Sequence, residues 1–147
     1  MDGAPHHVVD RVLPPVLVLL HAGLFLWASV GLVEWLVPGV AWRPVSNALF
    51  PRWLLLLHWL AVLNAAAIFL AGCVRRWPRT PVLLVPAYAF MAGVCTVETV
   101  FYLTHPLRYV AMALELAAYV LIPLALYRVP GLARRFGLNR AIERQSA

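Results

Sequence analysis

Four apolar runs, each long enough to cross a bilayer, constrain this chain more than anything else in it. They cover about 12–37, 53–72, 82–103 and 107–127. A spanning helix needs about 20 apolar residues. In lipid a chain must satisfy its own backbone polar groups, which a helix does within one segment. The expected fold class is all-α: a polytopic membrane protein, built as a four-helix transmembrane bundle. Composition agrees, since 63% of the 147 residues are hydrophobic and 12% are charged. A soluble domain carries about 25% charged residues. The expected organisation is a segment 1–11, a membrane domain 12–128 and a basic tail 129–147.

Punctuation places the spans. Pro14 and Pro15 suit the first turn of the first run, where a missing N–H costs little. That run is 26 residues long and follows no net-basic n-region, since Arg11 is offset by Asp2 and Asp10, which argues against a cleaved signal peptide. Pro38-Gly39 stops it, and Pro51, Thr80-Pro81 and Thr104-His105-Pro106 introduce the other three. Pro86 and Pro123 lie inside runs and are expected to bend their helices. The links 74–81 and 104–106 are tight, so runs two, three and four should be antiparallel neighbours. The longer link 38–52 carries Trp42 and Phe50 and reads as a membrane-surface segment. In the tail, Leu132, Phe136 and Ile142 among arginines read as a short interfacial helix, weakened by Gly131 and Gly137.

The formal charge is +6, and every cationic side chain apart from histidine is Arg. These arginines flank apolar runs, so anionic headgroups and topology explain them better than nucleic acid does. With four spans, the termini share a side with the second link. Nine arginines lie there: Arg11, Arg75, Arg76, Arg79 and Arg128, with Arg134, Arg135, Arg140 and Arg144. Three lie opposite: Arg43, Arg52 and Arg108. The imbalance places both termini in the cytoplasm. Trp35, Trp42 and Trp53 then mark one interface and Trp77 the other. Cys73 and Cys95 sit at different depths and should be free thiols.

The polar residues inside the spans carry whatever chemistry there is. Intramembrane ionisable groups are costly and usually face the bundle interior. Counting at 1.5 Å per residue puts Glu34, His58, Glu98 and Glu115 in the half of the bilayer away from the termini. Glu98, Tyr102 and His105 share one helical face; Arg108, Met112, Glu115 and Tyr119 share another. Together they predict a polar pocket opening away from the termini. Glu34, His58, Glu98, Tyr102, Glu115 and Tyr119 line it, and His105 and Arg108 sit at its mouth. His21 and Asn64 fall outside that layer, and Tyr88 and Trp27 read as packing or lipid contacts.

Such a pocket suits proton or quinone chemistry, because Glu, His and Tyr exchange protons. It also suits a carboxylate pair that stabilises a cationic intermediate in an intramembrane isomerase. The equally plain alternative is polar glue between helices. A metal site is not assigned, because the Glu-x-x-His pattern of di-metal bundles does not occur. His21 and His58 lie at opposite depths and cannot ligate one haem. No nucleotide-binding, hydrolase or metalloprotease motif is present. These residues assign no cofactor, and whether the chain is an enzyme stays open.

The order of features resembles one family. GLFLWASVGLVEWLVP closes the first run, a link with PVSNALFP follows, GCVRRWPR makes an arginine turn, and FYLTHPLRYV leads into the last run. This looks like the DoxX-like small four-helix membrane proteins of bacteria, over about 12–128. The resemblance implies an inner-membrane bundle acting as a membrane subunit or a small-ligand or quinone-binding module. An oxidoreductase partner would supply any redox cofactor. An intramembrane isomerase or oxidoreductase, and a purely structural anchor, are the alternatives. The family supplies no catalytic set to carry over.

Overall fold

The structure is a computed structural model that describes residues 4–37 and 49–136, with side chains from Val9 onward. The expectations for most of the link 38–52, for Trp42 and Arg43, and for 137–147 lie outside these residues. Among the described residues every regular element is helical: α1 (Ala4–Leu36), α2 (Arg52–Arg75), α3 (Thr80–Phe101), α4 (Arg108–Arg128) and the short α5 (Pro130–Arg135). Four of them are long and apolar enough to span a membrane, with α1 contributing Val9–Leu36. The chain is an all-α, four-span membrane protein.

α1 begins well before the expected start, so Pro14 and Pro15 sit inside it rather than in its first turn. A proline at position 14 leaves the Asp10 carbonyl without its helical N–H partner. That carbonyl lies against the Cα of Gly131, where any side chain would collide with it. The Gly131 N–H also donates to Asp10 Oδ1 at 3.3 Å. The gap in the α1 hydrogen-bond ladder is thus where α5 docks. Thr80 is the first residue of α3 rather than its cap, and its hydroxyl donates to the Trp77 carbonyl at 2.7 Å.

The helices pack in sequence: α1 on α2, α2 on α3, α3 on α4. α5 bridges α1 and α4 near the termini. Lipid is as apolar as leucine, so close contact rather than exclusion of water holds spans together. The α1–α2 interface uses small residues for this. Ala28, Ala61, Ala65 and Ala66 are all buried. At Gly31 the backbone rests on the Trp59 indole, with no room for a Cβ. In the basic tail Leu132 and Phe136 are fully buried, and the Phe136 ring meets Phe69 edge-on at 5.5 Å. α5 thus turns its apolar face inward between α1 and α4 and leaves Arg134 and Arg135 exposed. α4 keeps only Pro123 and Leu126 buried, both near its α5 end.

Candidate functional site

The polar cluster forms on α2, α3 and α4, in the half of the bundle away from the termini. His58 lies six residues into α2 and Glu98 three residues from the end of α3. Antiparallel packing brings them level. His58 Nδ1 is 3.1 Å from Glu98 Oε2, with hydrogen-bond geometry, and 2.9 Å from Oε1. The second contact is misdirected, and Oε1 is buried with no hydrogen-bond partner. Glu98 is only 6% exposed. The imidazole is held from the other side by indole edges. Trp59 lies 4.8 Å away and Trp27 lies 5.5 Å away, both near perpendicular.

One helical turn along α3, the Cys95 thiol donates to Glu115 Oε2 at 3.1 Å. The Tyr119 hydroxyl donates to the same oxygen at 3.3 Å. His58, Cys95, Glu98, Glu115 and Tyr119 line one cavity, walled by Ala61, Val62, Met91 and Val94. Its volume is about 20 Å³. That is room for one water molecule, which needs about 10–15 Å³. Glu115 differs from Glu98 in being exposed. Among the described residues, most of the α4 side chains at this level are exposed, and the Glu115 carboxylate stands at the lateral edge of the cavity.

Four of the eight residues expected in the pocket meet there: His58, Glu98, Glu115 and Tyr119. The other four do not. Tyr102 follows the last residue of α3 and packs its ring on Phe50. His105 is exposed, and its Nδ1 accepts the Leu107 N–H at 3.2 Å, which closes the α3–α4 turn. Arg108 donates to the Leu103 carbonyl and to Tyr109 Oη, so it caps the end of α3. Glu34 lies on α1 outside the cavity lining, with Oε2 buried and unpartnered. The expected faces are correct in rotation, but at the α3–α4 turn the backbone's own unpaired groups take up the polar side chains.

Three polar residues were missed. Cys95 joins the cavity, and His21 pairs with Tyr88 just below it. His21 Nε2 and Tyr88 Oη are 2.6 Å apart, and His21 Nδ1 donates to the Leu17 carbonyl at 2.7 Å. The imidazole stacks on Phe69 with ring centres 3.7 Å apart. Tyr88 in turn stacks on Tyr119 at 5.5 Å. Polar and aromatic contacts thus run from α1 through α3 to the Glu115 carboxylate on α4. The sequence did carry a signal. His21, Tyr88 and Tyr119 lie at similar counts from the termini-side ends of their runs. Among the described residues no group of three His, Cys, Asp or Glu side chains is placed to hold a metal ion.

Fold and cluster together define a class: a four-span helical membrane protein with a carboxylate–histidine site inside the bundle. Comparison with protein-family models, curated proteins and solved structures gives no match to this chain.

Proposed function

We propose that this chain is an inner-membrane module of DoxX-like type that binds the polar head of a small amphipathic molecule, of hydroquinone class, beside Glu98. One observation carries the reading. Glu98 Oε1 is buried and, although 2.9 Å from His58 Nδ1, accepts no well-directed hydrogen bond. An unsatisfied carboxylate oxygen there costs several kcal/mol by order of magnitude, and a ligand hydroxyl would satisfy it. The enclosed space holds one water molecule, so the ring lies at the lateral edge of the cavity, where Glu115 is exposed. One hydroxyl then reaches inward and the tail stays in lipid. Tyr119 and His58 supply the further exchangeable protons. In this reading a partner oxidoreductase supplies the redox cofactor, and the excess of arginine at the termini end supports a cytoplasmic location for both termini.

The test is solvent extraction of the purified protein with mass spectrometry of what it carries. Glu98→Gln and Glu115→Gln are each expected to lower the bound quinone at least about tenfold, the equivalent of one charge-assisted hydrogen bond. Folded variants that carry as much as the parent, or a parent that carries none, reduce the cluster to glue between helices. A reporter fused after Ala147 tests the topology and is expected to read cytoplasmic.

A further inference from the structure

A second cavity lies at the opposite end of the bundle, where α1, α2 and α5 meet. Its volume is about 750 Å³, within the ~300–1,000 Å³ of small-molecule sites. Among the described residues Arg11, Arg76, Arg134 and Arg135 line it, against the single carboxylate of Asp10. That carboxylate already accepts the Gly131 N–H. Arg135 is anchored by its Nε, which donates to Cys73 Sγ at 3.1 Å. That contact leaves its two terminal nitrogens for a ligand.

Arg76 adds an independent observation. It ends α2 in the left-handed conformation, with φ of 51°, and is the one non-glycine residue with positive φ among those described. Glycine is the usual occupant of that position, because a Cβ is strained there. Here the strained position is held by an arginine that lines the cavity.

We propose that this cavity binds the phosphate of an anionic phospholipid headgroup. Guanidinium groups match phosphate through paired N–H donors. The location decides between lipid and soluble phosphate. The cavity sits at the termini-side ends of α1 and α2, level with the bilayer surface, and Pro14, Pro15 and Val74 complete its wall. Val74 is 85% exposed, an apolar surface along which an acyl chain runs back into the membrane. Basic pockets between spans are suited to such headgroups.

The experiment measures lipid retained by the full chain, by native mass spectrometry, after reconstitution in phosphatidylcholine with and without phosphatidylglycerol. The parent is expected to retain phosphatidylglycerol in preference to phosphatidylcholine. Arg134→Gln and Arg76→Gly should each lower that retention about fivefold, from roughly 1 kcal/mol for each arginine near the surface. Arg76→Gly also separates binding from folding. In lipid-free detergent it should melt at a higher temperature than the parent, because it relieves the left-handed strain, while still retaining less phosphatidylglycerol. Arg79 lies at the same end but outside the cavity wall, so Arg79→Gln should leave retention unchanged. Equal retention by parent and Arg76→Gly, Arg134→Gln double variant overturns the proposal. An equal loss in Arg79→Gln also overturns it, because general surface charge then explains the binding. Inorganic phosphate raising the melting temperature as much as phosphatidylglycerol would assign the cavity to a soluble phosphate and overturn the lipid assignment.

Discussion

The His58–Glu98 pair yields a number that separates a poised carboxylate from an ordinary interhelical bond. Consider His58→Leu, Glu98→Leu and the double variant. Glu98 is 6% exposed and its one well-directed partner is His58 Nδ1. Losing His58 removes the one hydrogen bond to the carboxylate and its closest basic partner, and breaking a buried pair from one side costs about 3–5 kcal/mol. Losing Glu98 strands an imidazole whose side chain is 23% exposed, which costs about 1 kcal/mol. Replacing both by apolar groups is roughly neutral. The expected coupling energy is therefore about 4–6 kcal/mol. Neutral polar contacts between spans average about 0.6 kcal/mol and reach about 1.7. Unfolding by detergent titration in mixed micelles measures all four proteins. Reaction of Cys73 and Cys95 with a fluorogenic thiol reagent reports it, because both are free and buried until the bundle opens. A coupling of about 0.6 kcal/mol or less would refute the reasoning, and Glu98 would then be an ordinary strut.

Gly31→Ala should lose about 2 kcal/mol of stability, from about 3 for overpacking against Trp59 less about 1 gained in helix propensity. Gly23→Ala, with open space at its Cβ, should not be destabilised in the same titration. Tyr88→Phe leaves His21 Nε2 without its partner and should lower stability by about 1–2 kcal/mol. A far smaller effect would mean water reaches His21. A hydrophobic carbodiimide should modify exposed Glu115 well before buried Glu98, as read by peptide mass spectrometry. The reverse order would place the exposed edge of the cavity elsewhere.

Most of the fold was legible because lipid leaves a chain few choices. Span length, proline breaks and short links fix the helices and their order before any side chain is considered. Depth was legible too, since 1.5 Å per residue is a property of the helix alone. That is why His58, Glu98, Glu115 and Tyr119 meet as expected. What the sequence hid depends on neighbours. The roles of His105 and Arg108 are set by unpaired backbone groups at the α3–α4 turn, which compete for any nearby donor or acceptor. The inward fold of α5 depends on Asp10 of α1, whose carboxylate accepts the Gly131 N–H from more than a hundred residues away in sequence. Cys95 went unnoticed because a thiol reads as apolar until a carboxylate is placed beside it.

The position of α4 shows why site and scaffold share residues here. Its buried residues, Pro123 and Leu126, lie at the end that α5 supports. Over the rest of its length its leucines and valines face outward, where lipid suits them as well as protein does. What ties that stretch to α3 is the Cys95–Glu115 bond and the Tyr88–Tyr119 stack. A ligand hydroxyl that competes for Glu115 would therefore loosen α4 from the bundle and widen the opening through which it enters. Glu115→Leu with Tyr119→Leu removes both ties without adding a polar group. The amides of 108–118 should then exchange hydrogen at least about tenfold faster, from a loss of about 1.5 kcal/mol in local stability. Those of α1 and α2, locked by Gly31 and Trp59, should be unchanged. Unchanged exchange along 108–118 would mean that α5 and the α3–α4 turn hold α4 alone, and ligand entry would then be uncoupled from its motion.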